Sequence, residues 1–141
     1  MKKVFLGGTC CGTIWRQELI KLLKIDYYNP VVPDWNEQCM QEEIRQRQIC
    51  DYCLYTITPS MKGVYSIAEV VDDSNKRPEK TVLCILEKDI PKKNNSYVCQ
   101  YVKSFTYGQM KSLNQVARMV KDNGGQVFYS LKDVADFLNK S

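Results

Sequence analysis

A carboxylate ends the stretch GVYSIAE at residues 63–69, in a chain that contains no histidine. The pattern predicts that Glu69 lies near the start of a helix that follows a strand. Apolar neighbours there would raise the basicity of the carboxylate, while the helix N-terminus favours its charged form. Without histidine, a nucleophile must come from another residue type, and histidine-based triads are excluded. Glu69 is therefore our candidate nucleophile.

A purely structural role for Glu69 is the alternative. Ser66 and Glu69 have the Ser-x-x-Glu spacing of a capping box, which satisfies backbone donors at a helix start. We favour the chemical role because the predicted helix begins at the end of a strand that is itself predicted to be central. Asp72 and Asp73 come one turn later and could share its face, but we interpret them as part of the solvated end of the helix.

Glycines follow the first predicted strand in the stretch GGTCCGT at residues 7–13. A glycine turn between a strand and a helix lets backbone amides approach a phosphate or a sugar closely. Gly7, Gly8 and Thr9 are therefore candidate ligand-binding residues. The spacing differs from that of a dinucleotide fingerprint, and no P-loop lysine follows Gly12. A tight turn without any ligand remains the alternative.

Other polar and thiol groups have simpler interpretations. Asp51 directly precedes a predicted strand, which would place it at the edge of the sheet opposite the ligand, as a turn aspartate. Cys50 and Cys53 form a C-x-x-C pair, but no second pair completes a zinc set, so we expect core thiols. The charged run at residues 42–47 (EEIRQR) is typical of a solvated helical face with local ion pairs.

Five short apolar runs alternate with stretches of helical periodicity along the chain. This alternation predicts an α/β domain over residues 1–141, with a five-stranded, mainly parallel, doubly wound sheet of the flavodoxin or Rossmann type. Asp34 and Glu37 suit a capping box for the second helix, and Ser130 suits the cap of the last one. Residues 98–107 fit an additional strand. The predicted main strands are residues 4–6, 25–28, 52–57, 82–86 and 127–129.

Ligands of doubly wound folds gather at the carboxyl ends of the strands, where the strand order reverses. We therefore expect residues 7–13, 29–35 and 58–69 and the loop after Leu86 to form the rim of one pocket. Asp34 and Trp35 lie in the second of these segments, and the indole ring of Trp35 could stack on a base.

The amino-acid composition excludes several functional classes for this chain. The 141 residues suffice for one ordinary domain, and the net charge of +4 is weaker and more scattered than that of a nucleic-acid binder. Neither a signal peptide nor a membrane-spanning run is evident, so we expect a cytoplasmic protein without a membrane partner. Seven cysteines without a secretion signal indicate reduced thiols.

Several motifs occur in the order typical of one known family. They comprise residues 5–8 (FLGG), Asn29 with Pro30, Cys50 with Asp51, residues 63–69, and residues 76–78 (KRP). Together, over residues 3–87, they resemble the nucleoside 2-deoxyribosyltransferase family. The resemblance implies that Glu69 attacks the anomeric carbon of a nucleoside to form a covalent deoxyribosyl intermediate, and that Asp51 positions the sugar. It also implies a homo-oligomer and needs no cofactor or metal.

The chain departs from that family at two positions. Many members have an aspartate six residues before the nucleophile, where this chain has Gly63, and a glycine two residues after it, where this chain has Val71. The acid that protonates the leaving base must then come from elsewhere. We rank Asp34 with Trp35 first, with Tyr65 or a neighbouring subunit as alternatives. Gly63, Tyr65 and Ser66 complete the candidate substrate-binding set.

Three functions are compatible with these residues. The first is a deoxyribosyltransferase that acts on 2'-deoxynucleosides. The second is a hydrolase of 2'-deoxynucleoside 5'-monophosphates, in which Ser60, Lys62 or residues 7–13 would hold the phosphate. The third is a nucleotide-binding sensor without catalytic activity, for which the glycine at position 63 is the main argument.

Overall fold

Five parallel strands form the central sheet of the computed structural model, which describes residues 1–94, 97–98 and 102–141. The strand order is β2-β1-β3-β4-β7, and every neighbouring pair is parallel. The order reverses between β1 and β3, as in a flavodoxin-like doubly wound fold. The predicted fold class is thus confirmed. The strands are β1 (Lys3–Gly8), β2 (Asp26–Tyr28), β3 (Tyr52–Ile57), β4 (Thr81–Ile85), β5 (Lys93–Asn94), β6 (Tyr97–Val98) and β7 (Gln126–Phe128).

Helices cover both faces of this sheet. One apolar cluster joins the face of β1, β3 and β4 that carries Leu54 to Trp15 and Leu138, and a second joins the opposite face, which carries Tyr55, to Val70 and Leu113. Successive residues of β3 point to opposite faces, and both faces are buried, so the strand reads as a continuous apolar run. The helices are α1 (Trp15–Leu22), α2 (Glu37–Ile49), α3 (Tyr65–Lys76), α4 (Tyr107–Asp122) and α5 (Leu131–Asn139).

Helix starts agree with the sequence in one case and differ in another. Ser130 caps α5, and its hydroxyl accepts a hydrogen bond from the Asp133 amide at 3.1 Å, as predicted. The predicted capping box of Asp34 at α2 is wrong. Asn36 is the cap, and its side-chain oxygen accepts from the Cys39 amide at 3.0 Å. The amide oxygen of asparagine serves this purpose as well as a carboxylate does.

The segment after β4 contains a small antiparallel ladder of β5 and β6 that is separate from the main sheet. Part of the predicted strand over residues 98–107 lies outside the described residues. In the described part, Val98 belongs to β6, and Ser104 forms an isolated antiparallel bridge with Lys88. None of the described helices is both long and apolar enough to cross a bilayer.

Candidate active site

A cavity of about 860 Å³ opens at the carboxyl ends of β1 and β3, where the strand order reverses. Its wall combines the loop after β1, the segment after β2, one face of α2, and the segment that leads into α3. Three of the four segments expected at the rim therefore contribute. The wall includes these predicted residues: Gly7, Gly8, Thr9, Trp35, Gly63, Tyr65, Ser66 and Glu69.

Glu69 lies in the wall of this cavity, and its side chain is 19% exposed. Helix α3 begins at Tyr65, and its cap residue, Val64, provides no side-chain hydrogen bond. The capping box of Ser66 and Glu69 is therefore not formed, since Glu69 lies in the second turn of the helix. Its carboxylate instead faces α2, where Oε2 is 3.5 Å from Nη1 of Arg47.

Arg47 belongs to a network of charged groups that we call the ion-pair cluster: Arg47, Glu69, Asp73 and Arg77, with the Tyr55 hydroxyl. Asp73 is fully buried at its centre. Its Oδ1 lies 2.8 Å from Nη2 of Arg47 and 2.7 Å from Nη2 of Arg77, and its Oδ2 accepts a hydrogen bond from Tyr55. The cluster thus joins α2, α3 and β3.

The interpretation of Asp73 as a solvated residue is wrong. Asp73 lies one helical turn after Glu69, so both project from the same inward face of α3. Asp72 lies on the outer face, with a side chain that is 48% exposed, and forms an exposed pair with Lys76 at 3.1 Å. The two neighbouring aspartates therefore have opposite environments.

Several groups set the pKa of Glu69. Burial raises it above the ordinary value of a glutamate because the charged form loses hydration. The Arg47 guanidinium opposes this effect, whereas the Asp73 and Glu43 carboxylates raise the pKa further. Arg47 is thus the group that favours an ionised Glu69.

Glu43 is a second carboxylate in the cavity wall, and no motif or spacing in the sequence selects it. It precedes Arg47 by one turn of α2, so both face inward. The Trp35 indole N–H donates to Oε2 of Glu43 at 3.4 Å, which places the ring beside the carboxylate. Only part of the charged run is solvated as predicted: Glu42 and Arg45 pair at 2.8 Å on the outer side.

The glycine turn after β1 is built around a buried cation. The Arg16 guanidinium, on α1, donates to the carbonyl oxygens of Leu6, Gly8 and Thr9 at 3.0, 3.3 and 2.6 Å. Gly8 has φ of +116°, and a Cβ there would overlap the Thr56 carbonyl oxygen, so only glycine fits.

Arg16 has no carboxylate within ion-pair distance among the described residues. Burial lowers its pKa to about 10, which still leaves it charged at neutral pH. Since Arg16 also contributes to the cavity wall, it adds a positive charge to this side of the cavity.

A second buried carboxylate, Asp89, organises the loops below the cavity. Its oxygens accept hydrogen bonds from the hydroxyls of Thr13 at 2.8 Å, Thr58 at 3.2 Å and Ser60. We call these four residues the hydroxyl cluster. It links the loops that follow β1, β3 and β4. Thr9 is fixed in a similar way, because its hydroxyl accepts from the Thr58 amide at 3.0 Å.

Two predicted residues do not lie in the cavity wall. The Asp51 carboxylate accepts from the Lys3 amide at 2.8 Å, beside the paired amino ends of β1 and β3, at the opposite edge of the sheet. The structure does not bring it together with Glu69, so we leave it out of the chemistry below. Asp34 is exposed beside Trp35 and likewise stays outside the wall.

The segment before α3 leaves open space next to Gly63. A Cβ added at Gly63 would meet no atom within 4 Å, and Tyr65 is 73% exposed. No group from the described residues thus fills the position at which many family members have an aspartate. Among the described residues, no set of three or more histidine, cysteine or acidic side chains could hold a metal ion.

Comparison with known proteins provides independent evidence on the family of this chain. A sequence model described as nucleoside 2-deoxyribosyltransferase like matches residues 1–88, which extend from β1 through the end of β4. Searches of curated proteins and of solved structures returned no match. The matched part contains Glu69, Arg47 and the complete wall of the cavity. The chain therefore belongs to the nucleoside 2-deoxyribosyltransferase-like family.

Proposed function

We propose that the protein transfers the deoxyribosyl group of 2'-deoxynucleosides, with Glu69 as the nucleophile. One observation carries the proposal: the Glu69 carboxylate lies in the wall of a cavity large enough for a nucleoside, at the point where the strand order reverses. Family membership supports the same substrate class.

The reaction would proceed by two displacements at the anomeric carbon. In the first, the bond to the base nitrogen breaks and a Glu69 oxygen bonds to that carbon, while the base leaves with a proton. In the second, a nitrogen of another base bonds to the same carbon and loses its proton, and the ester bond to Glu69 breaks. Cleavage passes through an oxocarbenium-like state, which a nearby carboxylate stabilises, and two inversions retain the configuration. Partial burial of Glu69 strengthens this electrostatic stabilisation.

Glu43 is our candidate for the group that exchanges a proton with the base. It lies in the cavity wall one turn from Arg47 and beside the Trp35 indole, whose face offers a surface for stacking. Asp34, ranked first from the sequence, lies outside the wall. Glu43 thus supplies from α2 the carboxyl group that position 63 lacks.

A base-exchange assay tests this proposal. The protein is incubated with a deoxynucleoside and a second free base, and the new nucleoside is measured by chromatography. We expect Glu69→Gln to reduce exchange by about 10⁴-fold, since a lost nucleophile has effects of this order. Asp72→Asn, on the outer face of the same helix, is the matched control and should change exchange less than about twofold. Exchange at the wild-type rate by Glu69→Gln would contradict the proposal.

Hydrolysis of 2'-deoxynucleoside 5'-monophosphates is the second candidate. The charge on Arg16 favours it, because a buried guanidinium without a carboxylate partner beside a glycine turn is suited to a phosphate. Lys62 lies in the same wall. With a 2'-deoxynucleoside 5'-monophosphate as the substrate and no acceptor base, release of the free base and deoxyribose 5-phosphate would favour this reaction, and ligand binding without turnover would favour a sensor.

We also propose that a second copy of the chain covers the mouth of the cavity. Apolar side chains surround it: Val31, Trp35, Val64 and Tyr65 are each between 45% and 73% exposed. Exposed apolar groups that adjoin one another are typical of a protein interface. Light scattering coupled to size-exclusion chromatography should show a homo-oligomer, and Tyr65→Arg should weaken it. A monomer at concentrations where exchange is maximal would contradict this view.

A further inference from the structure

One guanidinium bridges two carboxylates of α3. Arg47 projects from α2 with Nη1 3.5 Å from Oε2 of Glu69 and Nη2 2.8 Å from Oδ1 of Asp73. We propose that Arg47, anchored by Asp73, is a positioning residue that fixes and charge-stabilises the Glu69 carboxylate in the cavity wall. The inference rests on the proposed role of Glu69 and adds the device that sets its charge and orientation.

Asp73 is suited to anchor Arg47 because two other groups and complete burial fix its own carboxylate. Tyr55 donates to it from β3, Arg77 lies 2.7 Å away beyond the end of α3, and water has no access to it. The guanidinium group is planar, so a contact that fixes Nη2 also fixes the direction of Nη1. The Arg47 guanidinium that faces Glu69 is therefore held in position by its contact with Asp73.

The two contacts of Arg47 differ in strength. The distance of 2.8 Å to Asp73 is that of a charge-assisted hydrogen bond, whereas 3.5 Å to Glu69 is longer than such bonds usually are. Arg47 thus stabilises the negative charge of Glu69 without a tight bond to its oxygen. Loose pairing leaves the lone pairs of that oxygen available for attack on a carbon.

Electrostatics gives the inference a measurable consequence. Arg47 lowers the pKa of Glu69, and burial, Asp73 and Glu43 raise it. Loss of the Arg47 charge must therefore raise this pKa, so that Glu69 would ionise only at higher pH. The remaining titratable and charged groups in the cavity wall are Arg16, Lys62, Tyr65, Cys10 and Cys11. None of them changes in the variants proposed below.

Carbon-detected NMR of protein labelled at the glutamate Cδ measures this pKa directly, with the Glu69 signal assigned by its loss in Glu69→Gln. Glu69 should titrate at higher pH in Arg47→Gln than in the wild type, and at an intermediate pH in Arg47→Lys. Arg45→Gln is the matched control, since Arg45 lies on the same helix but pairs only with the exposed Glu42. Its Glu69 titration should be unchanged.

Kinetics of the same variants separates this inference from the proposed function. We expect Arg47→Gln to lower kcat by roughly 10- to 100-fold at neutral pH, with recovery as the pH rises, and Arg47→Lys to restore part of the loss. An unchanged Glu69 titration in both Arg47 variants, as folded proteins, would overturn the inference. If Glu69→Gln keeps full activity while the NMR shift is observed, the proposed function fails and the electrostatic coupling stands.

Discussion

Asp73 and Asp89 are both buried, yet their partners differ in kind. Asp73, in the ion-pair cluster, meets two guanidinium groups and a phenol, whereas Asp89, in the hydroxyl cluster, meets three side-chain hydroxyls and the Ile90 amide. Charged partners let Asp73 determine the charge of a neighbour, Glu69, through Arg47. The partners of Asp89 are neutral, so Asp89 fixes the positions of the loops but does not set the charge of a neighbouring group.

The difference indicates that separate parts of the cavity wall would serve catalysis and ligand binding. The helices α2 and α3 carry the charges that would act on an anomeric carbon. The loops after β1 and β3 would hold the rest of a ligand, and Asp89, in the loop after β4, ties them together. Substitutions in the two clusters should therefore affect different measured quantities.

Removal of Asp73 should have the largest effect on stability. Asp73→Ala leaves two partly buried guanidinium groups without their shared acceptor, and breaking such a pair typically costs about 3–5 kcal/mol of the free energy of unfolding. Urea denaturation measures this loss. The adjacent variant Asp72→Ala is the control and should lose less than about 0.5 kcal/mol, because its pair with Lys76 is exposed. Equal losses in both variants would show that Asp73 is not a buried anchor.

Loss of Asp89 should be milder and should act on ligand binding. Asp89→Ala leaves its hydroxyl partners without an acceptor and should lower the free energy of unfolding by about 1–3 kcal/mol. The loss is smaller than for Asp73 because water can replace part of the lost hydrogen bonding. We expect KM for a deoxynucleoside to rise by roughly 10-fold and kcat to change less, because the loops shift while Glu69 stays in place. Initial rates and urea denaturation test both parts. A loss confined to kcat would contradict the division between the clusters.

The smallest effect concerns the pH dependence of stability. The pKa of Glu69 in the folded protein is raised above its unfolded value, so ionisation of Glu69 disfavours folding as the pH rises through that window. Glu69→Gln abolishes this penalty. The variant should gain stability relative to the wild type from acidic to neutral pH, with the two nearly equal below the unfolded pKa of glutamate. Thermal unfolding at both ends of the window measures the difference, and a constant difference would contradict the raised pKa.

The sequence predicted the fold well because its central strands β1, β3 and β4 are buried on both faces. Such strands appear as continuous apolar runs, and the predicted bounds of the five main strands differ from the observed ones by at most two residues. The place of Glu69 was likewise predictable, since the strand before it and the helix that contains it are both well marked. These local signals require no knowledge of distant contacts.

Arg47, Glu43 and Asp73 were missed for a physical reason. Charged residues on a helix usually face solvent, and only the tertiary arrangement of α2 beside α3 turns these three inward. Arg16 was missed similarly, because nothing in the sequence shows that its guanidinium binds the carbonyls of the glycine turn. Asp51 illustrates the opposite case: its position before a strand indicated the far edge of the sheet, where the structure places it.

Covalent trapping tests the central claim most directly. A 2'-fluorinated deoxynucleoside slows both displacements, because fluorine destabilises the oxocarbenium-like state, and so favours accumulation of the glycosyl enzyme. Mass spectrometry of the intact protein, followed by digestion at acidic pH to preserve the ester, should locate one fluorinated sugar on Glu69. The Glu69→Gln variant should remain unlabelled. A sugar bound to another residue, or turnover of the unmodified nucleoside with no adduct under any trapping condition, would contradict the account.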